Sequence, residues 1–504
     1  MQLSGKTHPG KIPVSYRPID DDMTKITWVA AVNITGRVYD LTVDNTLLNT
    51  WLYAPTDPYK CVWESKALGG VNYCYWPPDR NATEQPMYMD RAWPFTLNYT
   101  GPGGLAVSGS RVILNNITAP GNGSDGASWP SIIGLIDNTY DAFGSGSPPD
   151  MRLYHGSLSL SKTDHGRIVQ GTQTAGQVER YPQTPFNNYT SLTYFTTNFN
   201  PALPNGEMSI GMGYMNDADY TGEFKTVATS PESVDWRFDA NENWTVKIWE
   251  NITTTTGVQE IVRVVPFPTM NMTASRYIVL DLSSRITFVD FDTAEAIYKA
   301  FDGSCTRTPT PMGYSSSQKK DPSYPYCTLP IIQRWNNVTE SIDYELKTPG
   351  TFSLPWGPDG DIMIADQLTL VDALEGRPCA NEIRRRCEGN AFGSIQPNSF
   401  SKGGKSPMEN AEANFWVYGD LVFKNAYLKW DTANGGSVSM AKYASPPMES
   451  HDMAPGHPKP NAAAPHKKNN EETKHTARLL RSSDRVKERV SRLSGKYGSK
   501  ATRQ

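Results

Sequence analysis

Two stretches, far apart in a chain of 504 residues, carry residue types that could do chemistry together. Residues 41–52 (LTVDNTLLNTWL) and 278–289 (IVLDLSSRITFV) share one layout: an apolar strand ending in Asp, a polar turn, then a second apolar strand. The acids are Asp44 and Asp281. Carboxylates held close together cannot both ionise cheaply, so a pair of them shares one proton and offers a base and an acid at the same pH. Each stretch precedes, at long range, an apolar-apolar-Gly triplet, Ile132-Ile133-Gly134 and Val417-Tyr418-Gly419, which implies a duplicated two-lobe architecture. Other chemistries lack their residues. His8, His155 and His165 are the histidines ahead of residue 446, no G-x-S-x-G elbow is present, and phosphate-loop and dinucleotide glycine patterns are absent. The six cysteines show no C-x-x-C spacing, so neither a metal site nor a cofactor is expected.

The elements that must position those acids are strands. With 40 Gly and 38 Pro marking turns, and 25 Tyr and 13 Trp favouring extended backbone, an all-β fold of many short strands is expected. Alternation of apolar and polar residues is plain in 25–32 (KITWVAAV) and 275–280 (SRYIVL). One short helix is expected over 293–301 (TAEAIYKAF), with Asp292 as its cap and Gly303 beyond its end. No stretch approaches the roughly 18–20 consecutive apolar residues needed to cross a bilayer. A net charge of −4, with 20% charged residues, excludes a nucleic-acid binder and a disordered acidic chain for the molecule as a whole.

Composition divides the chain into a loose N-terminal leader (1–24), an N-terminal β lobe (25–205), a C-terminal β lobe (206–445) and a basic, low-complexity tail (446–504). The tail holds 13 Lys and Arg against 6 Asp and Glu. Within it Leu479, Val486 and Leu493 repeat at seven, which allows a basic amphipathic helix, although a solvated extension with no specified partner is the expectation.

Two more runs complete a pattern. Residues 415–434 (FWVYGDLVFKNAYLKWDTAN) follow the form W-[IVL]-L-G-D-x-F-L-x-x-Y…D-x-x-N, and residues 206–211 (GEMSIG) with 219–222 (DYTG) follow GELTLGG…YTG. Taken with the two Asp segments, in this order, the chain from about 25 to 444 resembles the pepsin-like (A1) aspartic peptidases, fungal ones in particular. The resemblance implies a bilobal all-β fold in which Asp44 and Asp281 meet, one activating water while the other donates to the peptide carbonyl. It also implies that Tyr99, in 95–101 (FTLNYTG), is the tyrosine of the flap over the substrate, and that Trp51 is its hydrogen-bond partner.

The family's triplet is Asp-Thr/Ser-Gly, in which the hydroxyl ties one lobe to the other and the glycine lets its amide approach the carboxylate. Here the triplets read Asp44-Asn45-Thr46 and Asp281-Leu282-Ser283. Both glycines are replaced, Leu282 has no hydroxyl, and Leu47 stands where a serine normally bonds the first aspartate. The expected function is therefore that of a peptidase homologue which binds extended peptides in an interlobe cleft and cleaves them poorly. An active acid endopeptidase and a glycosylated binding or inhibitor protein are the alternatives. The expected partners are peptides or proteins on a monomer without a membrane span.

Ten N-x-S/T sequons, at Asn33, Asn81, Asn98, Asn116, Asn122, Asn188, Asn243, Asn251, Asn271 and Asn337, and an even cysteine count favour the secretory pathway or the cell surface. Residues 1–24 contain no apolar run of the kind a signal peptide needs. A glycan on Asn98 would stand beside the flap tyrosine. Cys61 and Cys74 are expected to close a local loop, while Cys305, Cys327, Cys379 and Cys387 allow three pairings. Family habit favours Cys327 with Cys387, leaving Cys305 and Cys379 as mates.

Overall fold

Short alternating segments fold almost everywhere into strands. The computed structural model describes residues 7–18, 26–45, 50–53, 87–88, 95–98, 105–109, 111–120, 126–136, 138–141, 155–162, 185–186, 192–200, 208–231, 233, 235–241, 243–266, 276–284, 286–306, 326–336, 341–346, 351–358, 360–364, 390–397 and 415–444. All belong to the first of the chain's two units, Met1–Pro446; the expected basic tail lies outside the described residues.

The strands of the first part are β1 (Gly10–Pro18), β2 (Ile26–Ile34), β3 (Arg37–Asp44), β4 (Thr50–Tyr53), β5 (Met87–Tyr88), β6 (Phe95–Asn98) and β7 (Leu105–Gly109). They continue with β8 (Arg111–Thr118), β9 (Ser128–Ile136), β10 (Asn138–Asp141), β11 (Gly156–Ser159), β12 (Tyr194–Asn198) and β13 (Ser209–Met212). Then come β14 (Tyr220–Ala228), β15 (Arg237–Asp239), β16 (Thr245–Thr254), β17 (Gly257–Pro266), β18 (Tyr277–Leu280), β19 (Thr287–Val289), β20 (Ser304–Thr306) and β21 (Tyr326–Asn336). The last are β22 (Ser341–Leu346), β23 (Thr351–Pro355), β24 (Asp361–Ile364), β25 (Asn390–Phe392), β26 (Ile395–Pro397), β27 (Phe415–Tyr418), β28 (Tyr427–Asp431) and β29 (Ser437–Tyr443). Among the described residues two α-helices, α1 (Phe291–Ala300) and α2 (Asp420–Asn425), and a 3-10 turn at Ala433–Gly435 interrupt them. The described residues are mostly β-strand, in line with the composition.

One sheet of 13 strands runs β14-β29-β28-β12-β13-β1-β2-β3-β11-β4-β9-β8-β5, and a separate sheet of five runs β15-β18-β27-β19-β26. Toward the β14 end, the large sheet is sealed by aromatics. Phe195 on β12 stacks on Trp430 of β28 at 5.1 Å, and Trp236 meets both rings edge-on, all three fully buried. The β2–β3 hairpin closes through Thr35 and Gly36, both with positive φ (56° and 79°), the two-residue turn whose twist suits paired strands.

Several expectations are corrected here. The segment read as a loose leader contains β1, which pairs with β13 and β2 and buries Ile12 and Val14. Its alternation is short, with only three apolar residues, Ile12, Val14 and Tyr16, set between Lys11, Pro13, Ser15 and Arg17 to carry the signal. Strand β13, expected beyond a boundary at 205–206, lies between β12 and β1. Helix α1 is capped by Asp290, whose carboxylate accepts from the Thr293 amide at 2.9 Å; Asp292 sits in the first turn instead. Helix α2 was not expected. Cys327 bonds Cys305 rather than Cys387, because antiparallel β20 and β21 set Cys305 directly opposite Cys327. Cys61, Cys74, Cys379 and Cys387 lie outside the described residues. Among the described residues no helix is long and apolar enough to cross a membrane.

Candidate active site

Both acids stand at the same point of the same strand frame. In the first copy β3 runs parallel to β11 with Asp44 opposite Ser159, β11 runs antiparallel to β4, and β4 runs parallel to β9. The second copy repeats this order: β18 parallel to β27, β27 antiparallel to β19, β19 parallel to β26. An antiparallel strand flanks each frame, β2 beside β3 and β15 beside β18. In each copy a threonine lies six residues after the acid, Thr50 after Asp44 and Thr287 after Asp281. The Ser159 amide donates to Thr50 Oγ1 at 3.1 Å, and the Gly419 amide donates to Thr287 Oγ1 at 3.1 Å.

This frame corrects the triplet expectation. The counterpart of β27 is β11, while β9, which carries Ile132-Ile133-Gly134, is the counterpart of β26. Ser159 fills the place of Gly419, so no glycine marks it. A Cβ at Gly419 would meet the carbonyl oxygens of Ser284 and Ile286 at 2.4 and 2.6 Å. The second copy therefore needs glycine where the first accepts serine.

Asn45 joins the two copies. Its Nδ2 donates to Leu280 O at 2.9 Å, and its Oδ1 accepts from the Leu282 amide at 2.8 Å, both bonds buried. One amide side chain has a donor and an acceptor in a fixed plane, so it can hold both sides of the opposite turn at once. Leu282 offers no bond in return and packs into the core.

Asp281 is buried, and Ser283 grips it twice, from the amide at 2.9 Å and from Oγ at 2.6 Å, both onto Oδ1. Serine in place of glycine thus adds a donor to this carboxylate instead of removing one. Burial pushes the Asp281 carboxyl up to about 7, the nearby Asp44 charge pushes the same way, and the Ser283 bonds oppose both. Asp44 is buried as well. Thr46 and Leu47 lie outside the described residues.

Trp51 is buried on β4, edge-on to Tyr53 at 5.2 Å and opposite Gly134 of β9, and its Nε1 meets no acceptor among the described residues. Tyr99, the expected partner, lies outside the described residues; Asn98 ends β6. Of the sequons, Asn243 is exposed ahead of β16, Asn251 lies within β16, and Asn33 and Asn116 are partly buried in paired strands. Asn81, Asn122, Asn188, Asn271 and Asn337 lie outside the described residues. His155 is a packed residue: its Nδ1 accepts from the Asp40 amide at 2.9 Å, and its ring meets Tyr39 edge-on. Among the described residues no three His, Cys, Asp or Glu side chains converge as metal ligands.

Sequence reasoning missed Thr50, Ser159, Thr287 and the bridging role of Asn45. The equal six-residue spacing from acid to threonine was the available signal for two of them. No family model and no curated protein matches the chain.

Proposed function

We propose that the chain is a pepsin-like aspartic peptidase homologue, with two β lobes, a cleft between them for an extended peptide, Asp44 and Asp281 as the acid pair, and impaired turnover. The observation that carries this reading is the bridge from Asn45 to Leu280 and Leu282, because it ties one acid-bearing turn to the other. Burial and the Asp44 charge favour a proton on Asp281. Asp44 then takes a proton from water as the water oxygen attacks the peptide carbonyl carbon, and Asp281 gives its proton to the carbonyl oxygen. Impairment follows from Leu282. The tie is made from one side only, and a displacement of about 1 Å at reacting groups lowers a rate by roughly a hundredfold.

A working acid endopeptidase is the second reading. It is favoured by Ser283, whose amide and hydroxyl together hold Asp281 despite the missing glycine. The proposal extends to the secretory pathway: the Cys305–Cys327 bridge suits an oxidising compartment, and the exposed Asn243 suits a glycan.

The test is to titrate purified protein with an extended peptide and with a statine-type peptide inhibitor between about pH 3 and 6, the range in which a shared-proton pair works, while following cleavage of denatured protein. Both ligands are expected to bind and raise the melting temperature by mass action, with little cleavage. Failure of both to bind would remove the peptide cleft. Robust cleavage abolished by Asp44→Ala would replace the first reading with the second.

A further inference from the structure

Behind the Asp281 turn lies a second connection between the strands of the first and second copies, built from residues that the acid pair does not use. Asp420, the first residue of α2, is buried, and donors from the N-terminal strands reach both of its carboxylate oxygens. Trp28 Nε1, on β2, donates to Oδ1 at 2.5 Å, and the Tyr16 hydroxyl, on β1, donates to Oδ2 at 2.8 Å. The chain separations are 392 and 404 residues, so no local preference accounts for either bond.

The donors are themselves fixed. Trp28 is fully buried, stacked on Phe199 at 4.4 Å and tilted against Tyr16 at 4.4 Å, and Lys424, one turn along α2, lies 4.0 Å from the Tyr16 ring centre. On its other side Asp420 touches the acid-bearing turn directly. Its amide donates to Ser284 O at 3.0 Å, and the Ser284 amide donates to Asp281 O at 3.1 Å. Gly419, immediately before it, allows the carbonyls of Ser284 and Ile286 to approach within what a Cβ would occupy.

We propose that Asp420, gripped by Trp28 and Tyr16, is a positioning residue that fixes the Asp281 turn from behind while Asn45 fixes it from the front. Asn45 binds Leu280 and Leu282; Asp420 binds Ser284. Between them, three of the five residues from 280 to 284 have their backbone held by side chains or a helix that the opposite strands control. Among the described residues the charged groups around the turn are Asp44 in front, Asp420 behind and Lys424 on the outer face of Tyr16. The importance of this device for catalysis rests on the reading of Asp281 as one member of an acid pair; its effect on Asp281 itself does not.

The test uses the full chain with labelled aspartate carboxyl carbons, following the Asp281 titration by NMR, assigned through Asp281→Asn. Trp28→Phe removes one donor and keeps an aromatic ring; Tyr16→Phe is the milder variant should Trp28→Phe fold poorly. With Trp28→Phe the Asp281 midpoint is expected to fall by about one pH unit as the turn admits water, and amide exchange at Leu282 and Ser284 is expected to quicken about tenfold. Tyr16→Phe should shift both in the same direction by less, and Asp420→Asn, which keeps the shape and one acceptor, should recover part of the wild-type behaviour. An unchanged Asp281 midpoint and unchanged exchange, with only a lower melting temperature, would overturn the proposal and leave Asp420 as packing. If the wild-type protein binds no extended peptide while the Trp28→Phe shift occurs, the peptidase reading fails and the positioning role stands.

Discussion

The two acid-bearing frames share their backbone and differ in their side chains. Around Asp44 and Asp281 the strand directions, the pairing order and the acceptor threonines Thr50 and Thr287 are the same. The residue after the acid is Asn45 in one frame and Leu282 in the other, and the residue that meets the threonine is Ser159 in one and Gly419 in the other. Backbone pairing is therefore what the two frames share, because a sheet tolerates exchange of side chains wherever its ladder bonds and its buried volume survive. Polarity has moved to one side. The first frame supplies the bridging amide, and the second receives it.

Making the frames more alike should break this division of labour. Asn45→Leu would copy Leu282 into the first frame and leave Leu280 O and the Leu282 amide buried without partners, at a cost of about 4 kcal/mol. Chemical denaturation should show the loss as a lower midpoint with an unchanged slope. Gly419→Ser would copy Ser159 into the second frame, where the new Cβ meets two carbonyl oxygens, and should cost about 3 kcal/mol. Thermal unfolding measures it.

The third comparison is by pH. The folded Asp281 carboxyl lies near 7, above its value in an unfolded chain, so the folded state binds the extra proton between the two values. Its contribution to stability is complete below about pH 4, the ordinary aspartate range, and is lost as pH rises through about 7. Stability should fall through that window, and Asp281→Asn should flatten that part of the profile. The smallest effect is expected from Ser283→Gly, which deletes the 2.6 Å donor to Asp281. It should raise the Asp281 midpoint by about half a unit, read by carboxyl NMR.

Much of this arrangement was legible in the residues. Turn-forming and aromatic content pointed to strands, and the repeated strand-Asp-turn-strand layout coincides with β3–β4 and β18–β19. What stayed hidden depended on contacts across long separations. Strand β11 carries no glycine at Ser159, and its partner β3 lies 115 residues earlier, so Ile132-Ile133-Gly134 looked like the better match. Pairing of Cys305 with Cys327 follows from the register of β20 and β21, which no spacing rule supplies. Asp290 and Asp292 both precede TAEAI, and only the backbone distinguishes a cap from a first-turn residue. The bridging role of Asn45 rests on partners more than 230 residues away, Leu280 and Leu282, and on an amide's capacity to donate and accept simultaneously.

The most direct measurement is the Asp281 carboxyl titration in the wild-type protein and in Asp44→Asn. If the two acids share one seam, removing the Asp44 charge should lower the Asp281 midpoint by about one unit. An Asp281 midpoint that ignores the loss of Asp44 would contradict the account.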